Sequence, residues 1–357
     1  MCLKGVGYSV IPRPHPTTPH PAPSSRKSST ASRMGALITC TSTTPGNPIP
    51  PPATYQDLPM KSCLSGEVEV TRFEFESHGS GRFDGGELLR RYKGKSIMFV
   101  GDSLSRNQWQ SLICMLYSSV PGANYNIETA SGEVSTFTFT DFGVKVMLDH
   151  TVYLVDVVRE AEGRILKLDS IQGCKRWKGI DVLIFNTWHW WNRRGATQPT
   201  WNFRCIAQTL ALLKISAMRI IFMDYIEVGG KLYKDMDRVV AFEKALTTWA
   251  KWVDTNVDPA NTKWEHVERT KSEIVRGQRE PVAGSMYPGG LPPALAVLKK
   301  VLSGMKKHVE LLDITNLSLL RKDGHPSVYG LGGMDCSHWC LPGVPDTWNL
   351  ILYILIL

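Results

Sequence analysis

The stretch SIMFVGDSLSRNQWQSL, residues 96–112, constrains the fold more than any other part of the chain. SIMFV carries no charge and is rich in residues that suit a pleated sheet, so it predicts a buried strand. Immediately after Gly101-Asp102-Ser103, Trp109, Leu112, Ile113 and Leu116 recur at helical spacing, and Pro121-Gly122 stops that helix. A buried strand feeding directly into a helix is the building unit of an α/β domain.

The rest of the chain repeats the alternation. GELLRRYKGK (86–95) reads as a short helix and turn. Residues 133–158 alternate as two or three strands around an Asp141-Phe142-Gly143 turn. DVLIFNTWHWW (181–191) reads as a buried strand ending in a polar and aromatic cluster. In residues 235–254, Val239, Phe242, Leu246, Trp249 and Val253 line one helical face. A helix over 292–307 precedes VELLDIT, read as a strand and then a loop. The apolar C-terminus, WNLILYILIL, reads as a core helix or strand, too short for an anchor. Together these predict an α/β fold with a mainly parallel sheet, in which ligands meet the carboxyl ends of the strands. Gly101-Asp102-Ser103, Asn186 to Trp191 and the loop after LLDIT all fall at such ends.

The formal net charge of +8 hints at an acidic partner, but its distribution weakens the hint. Residues 1–56 hold five basic residues and no Asp or Glu, leaving +3 for the remainder. No basic stripe interleaved with aromatics is visible, which argues against nucleic acid. The same 56 residues are rich in Pro, Ser and Thr, so they cannot bury enough apolar surface to order themselves, and the folded domain is read as 57–357. Their acid-free, Ser-rich character also fits a transit peptide or a linker. No run of 18 uncharged apolar residues predicts a membrane-spanning helix. The eight cysteines include no CxxC pair, and the histidines follow no HExxH pattern, so no metal centre is expected. No phosphate-binding or dinucleotide-binding glycine loop is present.

Three constellations carry candidate chemistry. Ser103, at the start of a helix, would present its hydroxyl beside backbone N–H groups able to stabilise an oxyanion, though serine there can equally serve as a cap. A serine nucleophile needs a base. In GGMDCSHWCLPG, Asp335 and His338 lie three apart, a spacing that puts both on one face of a helical turn, where the carboxylate could orient the imidazole. The other reading is a surface pair in a loop. In FNTWHWW, Asn186 is a candidate oxyanion donor, and Trp188, His189, Trp190 and Trp191 are candidate sugar contacts or core. Three tryptophans in four residues cannot all point inward from a strand. Arg321, Asp323 and His325 in RKDGHPSVYG are either acceptor contacts or turn residues.

These stretches, with KGKSIMFVGDSLSRNQWQSLICML, WKGIDVLIFNTWHWW, EPVAGSMYPGG, LLDITNLSLLRKDGHPSVYG and DCSHWCLPGVPDTWNLILY, make the chain resemble the plant trichome birefringence-like proteins over roughly residues 72–350. These are a PC-esterase family related to the GDSL/SGNH hydrolases. The resemblance implies an SGNH-type three-layer α/β/α fold and O-acetylation of cell-wall polymers such as xylan, mannan or pectin in the Golgi. It implies Ser103 as nucleophile, His338 as base, Asp335 as its orienter, and Asp102 as a residue that orders the loop. It implies no bound cofactor but an acetyl donor, acetyl-CoA or another carrier, together with a polysaccharide acceptor and an N-terminal membrane anchor. An acetylesterase with the same triad and a non-catalytic polysaccharide binder are the alternatives.

The chain also departs from the resemblance. The family's anchor and cysteine-rich segment are not recognisable. Residues 202–223 interrupt the pattern and read like translated intron. Residues 264–280 are charged and predict no core strand, which would cost the sheet a central member. The partners that the family implies for Cys336 and Cys340 are missing. Each lost apolar side chain would remove ~1.5–3 kcal/mol from a total of only ~5–15. An unstable fold is therefore the expectation.

Overall fold

The computed structural model describes residues 83–129, 134–191, 223–257, 263–268, 281–330 and 333–357. Residues 1–56 and 202–222 lie outside them, so those two expectations are not addressed.

The first unit is the one the sequence demands. Helix α1 (Gly85–Arg91), capped by the Asp84 carboxylate on Glu87 N–H, leads into β1 (Ser96–Val100). Helix α2 (Ser103–Ser119) follows at once and ends before Pro121-Gly122. Then come β2 (Tyr125–Thr129), β3 (Val134–Phe139), β4 (Val144–Asp149), β5 (Asp156–Glu160), β6 (Gly163–Lys167) and β7 (Val182–Thr187). The chain continues through β8 (Tyr225–Val228), β9 (Lys231–Tyr233), α3 (Arg238–Asn256), β10 (Lys263–Glu268), α4 (Pro293–Ser303) and β11 (Glu310–Leu312). It closes with α5 (Thr315–Leu320), β12 (Ser327–Gly330), β13 (Gly333–Asp335) and α6 (Val344–Ile356).

Seven strands form the main sheet in the order β11-β10-β7-β1-β4-β3-β2. The five from β11 to β4 run parallel, while β3 and β2 are added antiparallel at one edge. The strands at its centre are buried on both faces, and alternate residues serve two cores. On one face Met98, Val100, Leu183 and Phe185 pack with Phe242, Leu246 and Trp249 of α3 and Leu298 of α4. On the other, Ile97, Phe99, Val182 and Ile184 pack with Leu112, Ile113 and Leu116 of α2 and Trp348 and Leu352 of α6. This is a three-layer α/β/α arrangement with a mainly parallel sheet. A smaller sheet, β5-β6-β8-β9, extends the first face.

One expectation fails here. Residues 269–280 lie outside the described residues, but the first five residues of the 264–280 stretch, read as fitting no core strand, lie in β10 (Lys263–Glu268), an internal parallel strand. It pairs residue for residue with β7 from Lys263↔Val182 to Glu268↔Thr187, and with β11 on its other side. A ladder is made by backbone groups, which every non-proline residue carries, so a charged composition does not forbid it. The sheet keeps this member through its backbone pairing.

Candidate active site

The carboxyl ends of β1, β7 and β4 meet at one place. Val100 is level with Phe185 on one side and Asp149 on the other, so the chain leaves the sheet at Gly101 beside Asn186. Gly101 N–H donates to the Asp149 carbonyl at 3.0 Å. A Cβ at Gly101 would stand 2.4 Å from the Asn186 carbonyl oxygen and 2.3 Å from Ser105 Oγ, so only glycine permits this approach.

The cap of α2 is Asp102, which is fully buried and accepts from Leu104 N–H at 2.8 Å. Ser103 is therefore the first helical residue, half-buried, and capping does not account for it. Asn186 is 2% exposed, and neither atom of its side-chain amide has a hydrogen-bond partner among the described residues. A buried, unsatisfied amide at the strand end that abuts the Gly101-Asp102-Ser103 turn is a candidate donor to an oxyanion.

Asp335 and His338 do come together, though not through a helical turn. Asp335 ends β13, and its Oδ1 accepts from the N–H groups of Ser337 at 2.9 Å and His338 at 3.1 Å. That side-chain turn brings His338 Nδ1 to 2.8 Å from Asp335 Oδ2. Nδ1 donates to the carboxylate, so in the neutral ring Nε2 carries the lone pair. Burial alone would push His338 down, but the Asp335 carboxylate and then Asp102 outweigh it, and the imidazole lies above its ordinary value. Burial opposes the Asp335 charge, yet His338 and the two turn N–H groups hold that carboxyl below its usual range.

The loop bearing His338 is tied to the helix bearing Ser103. Asn107 Oδ1 accepts from Trp339 N–H at 2.9 Å, and its Nδ2 donates to the Trp339 carbonyl at 3.2 Å. Asn107 lies four residues beyond Ser103, on the same side of α2. Two charges at the start of this helix act on His338 in opposite senses: Asp102 favours its protonated form and Arg106 opposes it.

The remaining candidates resolve differently. Trp188, Trp190 and Trp191 are 3%, 8% and 0% exposed, so they form no open sugar-stacking platform. Only Asn186 and Thr187 lie on the strand. The chain turns away at Trp188, whose φ is 109°, and Trp191 N–H donates to the Trp188 carbonyl at 2.9 Å. This curl, not the alternation of a strand, lets all three indoles enter the core, where Trp188 and Trp191 meet Phe242. Among these four residues, His189 alone is half-buried. Arg321 grips Asp323 through two nitrogens at 3.0 and 3.1 Å, an ion pair within the turn. His325 is buried, donates from Nδ1 to the His338 carbonyl at 2.6 Å and stacks on Trp339. The three therefore build the turn that packs beside His338 and Trp339. Burial, with Asp335 and Asp323 nearby, keeps the Cys340 thiol protonated, pushed up to about 12.

Asn107 was not legible as a functional residue. Its one sequence signal is the four-residue step from Ser103.

Comparison with known proteins bears on the same residues. A sequence profile described as PC-Esterase, the GDSL/SGNH-like acyl-esterase family found in Pmr5 and Cas1p, matches residues 81–355. The chain belongs to this family. It is 52% identical over 288 residues to protein trichome birefringence-like 41 of Arabidopsis thaliana, covering 76% of this chain and 74% of that one. Protein trichome birefringence-like 38 from the same plant is 48% identical over 289 residues, covering 76% and 69%. Protein trichome birefringence is 35% identical over 306 residues, covering 76% of this chain and 46% of its own length. The PC-esterase match takes in every described secondary-structure element except the last residue of α6, including β10. Membership supports acyl-ester chemistry of the esterase or acetyltransferase kind.

Proposed function

We propose that this PC-esterase is an O-acetyltransferase that passes an acetyl group through Ser103 onto a hydroxyl of a cell-wall polysaccharide. The observation that carries the reading is the 2.8 Å contact of His338 with Asp335, on a loop fastened one turn beyond Ser103. In the first step Ser103 Oγ attacks the acetyl carbonyl while His338 Nε2 takes its proton. The carbonyl electrons move to an oxyanion beside the Asn186 amide and the start of α2. Collapse expels the donor's leaving group, which receives the proton from His338, and leaves acetyl-Ser103. In the second step His338 deprotonates a sugar hydroxyl, the new ester forms, and the proton returns to Ser103 Oγ. Asp335 keeps its charge throughout and holds the imidazole in the Nδ1–H tautomer. Water in place of the sugar makes the same site an esterase. The donor is an acetyl carrier such as acetyl-CoA, and no resident cofactor takes part. The acceptor class (xylan, mannan or pectin), a Golgi setting and a membrane anchor follow from the family resemblance. Among the described residues no helix is long and apolar enough to cross a membrane.

Intact-mass spectrometry after incubation with an activated acetyl ester tests the first step. One acetyl mass on the wild type and none on Ser103→Ala is the expected result. Label on both, or on neither while folded, overturns the assignment. Adding xylan, mannan and pectin oligomers then separates transfer from hydrolysis by whether acetylated sugar or acetate accumulates.

A further inference from the structure

Asp335 steers His338 from the side of β13, but the chain beyond the imidazole must also be held if Nε2 is to keep its aim at Ser103. Two residues outside the triad grip that far side. Asn107 is 7% exposed and uses both ends of its amide on the two peptide groups that flank Trp339, accepting from Trp339 N–H at 2.9 Å and donating to the Trp339 carbonyl at 3.2 Å. Asparagine is suited to this because its side chain reproduces the donor and acceptor of a peptide group.

From the opposite side His325 reaches the carbonyl of the same peptide group whose N–H donates to Asn107. Its Nδ1 stands 2.6 Å from the His338 carbonyl, and its ring stacks on the Trp339 indole at 3.8 Å and 26°. A carbonyl only accepts, so Nδ1 carries the hydrogen. Burial pushes this imidazole down to about 4, which keeps it neutral at working pH. The turn bearing His325 is itself pinned. Cys340 N–H donates to the Gly324 carbonyl at 3.0 Å, and a Cβ at Gly324 would stand 2.9 Å from Val344 Cγ2.

We propose that Asn107 and His325 are positioning residues that clamp the His338–Trp339 backbone from two sides and so hold the base in register with the nucleophile. This rests on the serine reading above. The clamp joins three parts of the chain far apart in sequence: the nucleophile helix, the turn after α5 and the loop after β13. Neither residue touches the acetyl group, and their effect is transmitted through the reach of His338 Nε2.

The test uses the full chain hydrolysing p-nitrophenyl acetate, with kcat, KM and the pH profile measured for Asn107→Ala, His325→Phe and His325→Asn. The His338 ring is titrated in parallel by nitrogen-15 NMR. Phenylalanine keeps the stack on Trp339 and loses the donor, whereas asparagine places an N–H where Nδ1 was. Asn107→Ala and His325→Phe are expected to lower kcat by about 10²-fold, the scale of a small misplacement of a reacting group. KM should stay within about two-fold, since substrate binding is not involved. The His338 midpoint falls toward its ordinary value as contact with Asp335 loosens, and His325→Asn recovers most of the lost rate. Wild-type kcat in both damaging variants overturns the clamp. So does a loss that merely follows the unfolded fraction, with an unshifted pH midpoint and no recovery by asparagine. Should His325→Phe fail to fold, Asn107→Ala carries the same test without disturbing the stack. If the wild type shows no Ser103-dependent turnover, the serine reading fails, and the ring titration alone judges the clamp: a lowered midpoint in the variants supports it and an unchanged one overturns it.

Discussion

In the proposed mechanism His338 accepts a proton from Ser103 only while its ring is neutral. Burial opposes the ring's charge, but Asp335 and Asp102 more than compensate, so the midpoint lies above the ordinary value of about 6.5. The proposed mechanism therefore predicts a rate that rises with pH through that elevated midpoint, while Asp335, held low, stays ionised over the same range. A kcat–pH profile whose rising limb is centred below about 6.5 would remove His338 from the role of base. Asp335→Asn keeps the size of the side chain and loses the charge that fixes the tautomer, and kcat should drop by about 10⁴-fold. The pair also contributes to stability in two opposed ways. The lowered Asp335 stabilises the fold above its unfolded value, a contribution lost as pH falls through the folded one. The raised His338 stabilises it below its unfolded value, and that is lost as pH rises through the folded one. Gly101 admits a separate check, since an added Cβ would meet the Asn186 carbonyl at 2.4 Å. Gly101→Ala must push the serine turn off β7, and kcat for p-nitrophenyl acetate should fall by at least about 10²-fold, the scale of a displaced reacting group.

Helices α2 and α6 meet through buried polar groups as well as through the apolar core. Asn349 Nδ2 donates to the Gln108 carbonyl at 3.0 Å and to Ser111 Oγ at 2.8 Å, while Ser111 Oγ donates to Asp346. Asp346 also accepts from Gly343 N–H at 2.8 Å, and burial pushes its carboxyl up to about 6. A carboxyl with a folded value near 6 and an unfolded value near 3.9 binds more protons in the folded state, so its effect is a loss of stability as pH rises between those values. The loss is about 3 kcal/mol at full ionisation. Asp346→Asn should remove that descending limb, seen as urea midpoints that no longer fall between about pH 4 and 6 on this group's account. At this scale much was legible from pattern: β1, α2, β7 and α3 announce themselves by apolar runs or by helical spacing, while the apolar C-terminus, equally readable as helix or strand, is a helix. What escaped did so for identifiable reasons. Strand β10 is held by backbone pairing to β7 and β11, and its side chains KWEHVE give no period to read. The six residues of α5 are too few to show one, so LLDIT was followed by an expected loop. The tryptophans enter the core because φ turns positive at Trp188, a torsion no apolar pattern encodes. Asp335 and His338 were legible as a pair, but the turn that joins them depends on carboxylate bonds to backbone N–H groups, not on helical spacing.

At the scale of the whole molecule, one sheet serves both cores and the site alike. Ile184 and Leu183 are adjacent on β7, yet one belongs to the core shared with α2 and α6 and the other to the core shared with α3 and α4. The serine turn sits on the carboxyl edge of the same central strands, so the layer that carries α2 and the layer that carries α3 cannot lose order independently without disturbing the site. This coupling predicts a single unfolding transition despite the length of the chain, with near-ultraviolet signal from Trp177, Trp191 and Trp249 and far-ultraviolet signal from the helices changing together. Leu183→Ala probes it from a position with no exposed surface and no contact with the reacting groups. The cavity should cost about 2–5 kcal/mol, a large part of a total near 5–15. Both signals should shift to lower urea by the same amount, and activity per folded molecule should stay close to that of the wild type. If instead only the near-ultraviolet transition moved, the two layers would be separate folding units, and the shared sheet would no longer explain how a site on α2 is held against β7.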